Sequence, residues 1–160
     1  MIKPAMRIIR SLPDESATRE IGVLLARGVE PGMMIYLSGE LGSGKTTLVR
    51  ALLRARGVGG RIKSPTFTLV EVYSVSKLNF YHFDFYRFNN PDEWMSTGFR
   101  DYFRDDAVCL VEWPEKAGDS LPSPDIRIHL RYAADARVAE ILAPTVQGQR
   151  CLSQLNEAVS

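Results

Sequence analysis

The run Met33-Met34-Ile35-Tyr36-Leu37 is apolar without alternation, which predicts a strand covered on both faces, as in a parallel sheet. Glycines follow at once, and then Leu48, Val49, Leu52 and Leu53 recur at helical spacing, with Arg50, Arg54 and Arg56 on other faces and Gly57 as a stop. Residues 33–57 therefore read strand, loop, helix. Before them, Ser11-Leu12-Pro13-Asp14-Glu15 carries a capping residue, an early proline and first-turn acids, and Ala17, Ile21, Leu24 and Leu25 continue a helix that ends near Gly28.

Downstream, Phe67–Tyr73 and Leu78–Phe85 alternate across a short polar link, Ser74 to Lys77, which predicts an antiparallel hairpin. Asn89-Asn90-Pro91-Asp92-Glu93 starts a helix with asparagine as cap and proline at the first helical position, and Gly98 keeps it short. Val108–Val111 is a second buried strand, closed by Glu112-Trp113-Pro114. Ile126–Tyr132 alternates, Val138–Leu142 is a further strand, and Arg150–Val159 is weakly helical. There is no internal repeat, and Leu121-Pro122-Ser123-Pro124 is a stiff connection rather than a linker. The expected fold is α/β: one domain over residues 1–160, with a sheet flanked by helices and an antiparallel hairpin.

Composition narrows the partners. Apolar residues are 45% and charged residues 24%, typical of a folded globular chain. With Lys+Arg 20 against Asp+Glu 19, the net charge of +1 lacks the basic excess of a protein that grips nucleic acid through phosphates alone, so any RNA contact is expected to be local or shared with a partner. Cys109 and Cys151 lie far apart with no metal-ligand spacing, which excludes a structural zinc site, and Cys109 sits in an apolar run as a reduced thiol. No apolar run reaches a membrane span, and Pro4, Arg7 and Arg10 occupy the place of a signal peptide's apolar stretch. The expected location is the cytoplasm, away from membranes.

The chemistry sits between the first strand and its helix. Gly39-Glu40-Leu41-Gly42-Ser43-Gly44-Lys45-Thr46 matches G-x-x-x-x-G-K-[ST] in the required context. Glycines let backbone N–H groups converge on phosphate oxygens, and the helix N-terminus favours negative charge. Lys45 supplies charge at the β- and γ-phosphates, the Thr46 hydroxyl can ligate Mg²⁺, and Thr47 continues the nucleotide-binding stretch. Such a loop serves kinases, GTPases and ATPases alike. No N-K-x-D or D-x-x-G run is present, which disfavours a GTPase. Two other readings stay open: a small-molecule kinase, and a nucleotide-gated binding subunit in which occupancy alone matters.

Three further residues are candidates for the chemistry. Glu112 ends a run of four apolar residues, the pattern that delivers an acid from a buried strand tip to Mg²⁺ or the attacking water; otherwise it is merely the first exposed residue after a strand. Asp84 alternates with Phe80 and His82, opposite Tyr81, Phe83 and Phe85; the bland alternative is a pair with Arg87 or a turn cap. Thr66, in Ser64-Pro65-Thr66, lies where other P-loop proteins carry a γ-phosphate-sensing switch. His82 reads more readily as a structural histidine, and Trp113 as core filling or a lid. Arg50, Arg54, Arg56, Arg61 and Lys63 form a basic cluster read first as a solvated face, and Arg137 precedes a strand without a defined reach.

Four blocks in order resemble the TsaE family: the phosphate loop through Leu48, then Ser64-Pro65-Thr66-Phe67-Thr68-Leu69-Val70, Tyr81-His82-Phe83-Asp84-Phe85-Tyr86-Arg87 and Val111-Glu112-Trp113-Pro114-Glu115. The first is generic and the other three are specific, and the resemblance runs from about Leu12 to Ile141. Phe85 stands where the family often has leucine, and Trp94-Met95-Ser96 where Glu/Leu-rich sequence is usual. The resemblance implies a P-loop NTPase-like fold with a mixed sheet, and a Mg²⁺- and ATP-dependent ATPase, weak alone, that works with TsaD-like and TsaB-like subunits to form threonylcarbamoyladenosine in tRNA. It also implies that Asp84, Glu112 and Thr66 serve catalysis and that Thr46 and Glu112 hold the metal.

Overall fold

In a computed structural model, described over residues 5–103 and 106–157, seven strands form one mixed sheet in the order β1-β7-β6-β2-β5-β4-β3. The strands are β1 (Met6–Leu12), β2 (Met34–Gly39), β3 (Val70–Val75), β4 (Leu78–Asp84), β5 (Ala107–Glu112), β6 (Ile126–Ala133) and β7 (Ala136–Ala143). β6, β2, β5 and β4 are parallel neighbours, and β1, β7 and β3 pair antiparallel at the two sides. All six side chains of β5 are buried, as its unalternating sequence predicts for a strand covered on both faces.

The helices α1 (Glu15–Ala26), α2 (Lys45–Ala55) and α4 (Val146–Glu157) pack on one face, over Ile35, Leu37, Phe80, Leu110 and Ile128. The other face carries α3 (Pro91–Ser96) and short 3-10 turns over an aromatic cluster of Tyr36, Phe83, Phe85, Phe88 and Trp94. Alternation along β4 divides these layers: Phe80 joins the helical core, while Tyr81 and Phe83 face the aromatic one. α1 and α2 touch closely because Gly22 has no side chain; a Cβ there would meet the Leu48 carbonyl oxygen at 2.4 Å.

Four expectations need correction. Ser11 and Leu12 end β1, an edge strand in which Ile8 and Leu12 point inward between exposed Arg7, Ile9 and Ser11; the helix cap is Asp14, whose carboxylate accepts the Ala17 N–H at 2.9 Å. Phe67 is not in a strand: the Leu69 N–H donates to the Pro65 carbonyl at 2.7 Å, closing a turn over 65–69, and β3 begins at Val70. The hairpin link is only Ser76-Lys77, both at positive φ, which matches the twist of the strands. Finally, α4 begins at Val146, four residues earlier than predicted, and the expected residues 158–159 lie outside the described ones.

Candidate functional site

The phosphate loop leaves β2 at Gly39 and enters α2 at Lys45. Gly39 has φ 142°, and a Cβ there would lie 2.4 Å from the Leu130 carbonyl oxygen and 2.7 Å from Ser43 Oγ, so only glycine fits against β6. Gly44, at φ 112°, is the N-cap of α2 and offers no side chain to its first N–H groups, which leaves the positive end of the helix open to an anion. Lys45 curls inside the loop: its Nζ donates to the Gly39 and Glu40 carbonyls and to Ser43 Oγ, and lies 4.4 Å from the centre of the Trp113 ring. Burial pushes its pKa down, against the opposing pull of Glu112, Asp84 and Glu115.

The acids come from adjacent parallel strands, where Asp84 is in register with Glu112. Glu112 is 2% exposed, and both its oxygens accept from Thr46 Oγ1, at 2.9 and 3.0 Å. Oε2 also meets His82 Nε2 at 2.6 Å. Asp84 is 5% exposed; its Oδ1 accepts the Tyr86 N–H at 2.9 Å and its Oδ2 the Thr66 hydroxyl at 3.4 Å. The carboxyl is both a turn cap and part of the cleft. Burial raises its pKa, as does Glu112, while the Tyr86 N–H opposes the shift.

These groups line a cleft of about 300 Å³ with Leu41, Gly42, Thr47 and Arg137. Larger hollows lie elsewhere: about 580 Å³ between Tyr36, Arg127, His129 and the segment after Trp113, and about 610 Å³ between α1 and α2. Neither joins a phosphate loop to buried acids, so the smaller cleft is the candidate site. Its donors suit Mg²⁺. Thr46, Asp84 and Glu112 offer hard oxygens, and the lining carries three acids, Glu15, Asp84 and Glu112, against two cations, Lys45 and Arg137. Among the described residues no three His, Cys, Asp or Glu converge on an ion, and Mg²⁺ asks for only one or two carboxylates beside phosphate and water.

The family model described as "Threonylcarbamoyl adenosine biosynthesis protein TsaE" matches residues 12–139. The chain belongs to the TsaE family. The tRNA threonylcarbamoyladenosine biosynthesis protein TsaE of Haemophilus influenzae is 44% identical over 147 residues, covering 89% of this chain and 93% of that protein. The Bacillus subtilis protein of the same name is 37% identical over 123 residues, covering 77% and 75%. A crystal structure of Bacillus subtilis YdiB superposes with a TM-score of 0.78 at 27% identity, covering 100% of this chain and 99% of that one.

In this TsaE-family chain Leu41, Gly42, Gly44, Lys45, Thr46, Thr47, Thr66, Asp84 and Glu112 line the cleft, while Gly39, Glu40 and Ser43 belong to the loop without lining it; His82, Tyr132 and Arg137, which the sequence left open or unmentioned, stand beside them. His82 touches Glu112; H-x-D alternation on one strand face was the available signal. The Tyr132 hydroxyl donates to the Gly42 carbonyl at 2.9 Å, and the Arg137 guanidinium lies 5.6 Å from the centre of the Tyr132 ring, beside Gly44. Both come from the β6–β7 hairpin, whose position beside the loop no local pattern reveals. The basic cluster dissolves into separate roles. Arg54 donates to the Val58 carbonyl, and Arg56 to those of Ala26 and Val29, so both are used structurally. No helix among the described residues is long and apolar enough to cross a membrane.

Proposed function

We propose that this chain, a single domain, is a Mg²⁺-dependent ATPase whose ATP binding and hydrolysis drive or reset a cytoplasmic TsaD/TsaB-type complex that forms threonylcarbamoyladenosine in tRNA. The names of its relatives support the pathway. The carrying observation is the joint placement of Lys45, Thr46 and Glu112, which sets a cation, a hydroxyl and a nearly buried acid around an uncapped helix N-terminus.

The residue roles follow from position. The backbone from Gly39 to Lys45, with Thr46 and Thr47 behind it, cradles the phosphates, and the Lys45 amine supplies charge at their centre. Thr46 and Glu112 are the residues that hold Mg²⁺, which when bound neutralises charge on the β- and γ-phosphates. Glu112 and Asp84 are the groups able to orient or deprotonate the attacking water, and Thr66, which donates to Asp84, ties the 65–69 turn to them. Contact with tRNA is indirect, through the partner subunits.

Lys45→Ala deletes the loop's central charge and is expected to abolish measurable Mg²⁺-ATP binding in calorimetry while the fold persists. Unchanged affinity removes the site assignment. Phosphate release is expected to be slow for the chain alone and to rise with TsaD-like and TsaB-like subunits; equal rates remove the gating by partners.

A further inference from the structure

The roles above leave the buried imidazole of His82 unused. His82 is 0% exposed in the interior of β4, and its imidazole spends Nε2 on Glu112 Oε2 at 2.6 Å. Among the described residues its Nδ1 has no partner. A carboxylate oxygen only accepts, so Nε2 carries the proton; a proton on Nδ1 would be a buried donor with nothing to receive it. Among the described residues the imidazole therefore has one polar contact, made through Nε2, and that contact is the acid at the tip of β5. A histidine kept for packing alone has no need of this arrangement, because an apolar side chain fills the same volume without a desolvated ring nitrogen.

Glu112 has two tethers. Thr46 stands on α2, directly behind the phosphate loop, and its hydroxyl oxygen is also the one suited to a cation. His82 stands on the neighbouring strand, between Phe80 and Phe83, both fully buried, and cannot move without disturbing the core. Of the two, His82 is the tether independent of what the loop does. Its bond to Oε2 blocks rotation of the carboxylate, and Oε1 is left with the Thr46 contact alone among the described residues.

We propose that His82 is a positioning residue for hydrolysis: its buried Nε2–H locks the Glu112 carboxylate in one orientation, so that Glu112 meets cation and water already aimed. This rests on the hydrolytic reading of the site given above. The outer partners of catalytic acids and metal ligands act in this way, by fixing the orientation of the group that does the chemistry.

The test uses the full chain with its partner subunits. His82→Leu removes the donor and is expected to lower kcat for phosphate release by about 10–100-fold, with the Kd for a non-hydrolysable ATP analogue essentially unchanged. His82→Gln returns an N–H donor and is expected to recover much of the rate. In a Glu112→Gln background, His82→Leu is expected to add little. Nitrogen-detected NMR of the unmodified chain without nucleotide reads the tautomer directly: protonated Nε2, bare Nδ1, and a downfield Nε2–H signal that Glu112→Ala abolishes. That arm stands even if His82→Leu does not fold. Wild-type kcat in His82→Leu, equal losses in the Leu and Gln variants, or an Nε2 without a proton overturns the proposal. Normal hydrolysis in Glu112→Gln instead overturns the role of Glu112 in hydrolysis, with the consequence for rate drawn from it, while the spectrum still decides whether His82 holds the carboxylate.

Discussion

Glu112→Gln separates turnover from occupancy, and the structure bounds both of its effects. The carboxylate accepts from Thr46 on both oxygens and from His82 on one. Glutamine keeps the volume; with its carbonyl toward His82, its amide can donate to the Thr46 oxygen, whose hydroxyl is free to rotate. No buried group is then orphaned. The cost is the difference between charged and neutral hydrogen bonds, about 1 kcal/mol each, offset by no longer burying a carboxylate that is 2% exposed. Stability is expected to stay within about 2 kcal/mol, a shift of at most roughly 8 °C in melting temperature for a chain of this size. The loss of a positioned base is larger, about 10²–10⁴-fold in rate.

The assay measures phosphate release with partner subunits, melting of the isolated chain, and multiple-turnover tRNA modification. The expected result is a cooperative melt near that of the wild type, hydrolysis reduced at least about 10²-fold, and no more than one round of modification per complex. Hydrolysis close to wild type refutes the role of Glu112. Full multiple-turnover modification without hydrolysis refutes turnover as the drive, and the nucleotide-gated reading then replaces it.

Two further outcomes test the site's physics. Burial is the main reason the Asp84 carboxyl sits above its ordinary range, so its contribution to stability is present at low pH and is lost as pH rises through the raised value. Asp84→Asn, which cannot ionise, is therefore expected to melt above the wild type at neutral pH, with the gap closing on acidification toward about pH 4; a gap that does not change with pH contradicts this. At the loop, Gly39→Ala combines positive φ with a collision against Leu130 and Ser43, whereas a Cβ on Gly42, at φ 76°, meets only the Tyr132 hydroxyl at 3.5 Å. Gly39→Ala is expected to cost roughly 2–5 kcal/mol and Gly42→Ala about 1 kcal/mol, read as melting temperatures; equal losses refute the close approach to β6.

The legible parts were those with dense local signals. The phosphate loop declared itself by spacing, the β3–β4 hairpin by alternation, and α3 by Asn90 and Pro91, where the asparagine accepts the Asp92 N–H as a cap should. The misread parts depended on distant partners. β1 alternates polar and apolar at a sheet edge, and its pairing with β7, more than 120 residues later, is what makes it a strand. α4 starts before the expected Arg150: Thr145 accepts the Gly148 N–H and starts the turn, and Gly148 fits inside the helix where a Cβ would collide with the Asp125 carbonyl. The His82–Glu112 contact needs the parallel register of β4 on β5, set by a crossover whose path no local pattern records.

Strand direction explains why one edge of the sheet collects the whole cleft. The parallel strands β2, β4, β5 and β6 all end there, delivering the phosphate loop, Asp84, Glu112 and Tyr132. β7 runs the opposite way, so its beginning, Arg137, lies at the same edge. β1 is antiparallel to β7, so its end is there too, and the chain passes directly into Glu15 at the mouth of the cleft. β3 is antiparallel to β4, so its start, just after Thr66, returns to the same line. Residues scattered from Glu15 to Arg137 meet because each terminates or begins a strand at one edge, and the pleat decides which of them face the loop. A slip of β5 by one residue against β4 would turn Glu112 toward the aromatic layer and put Val111 beside His82, emptying the site of its acid while leaving every element intact.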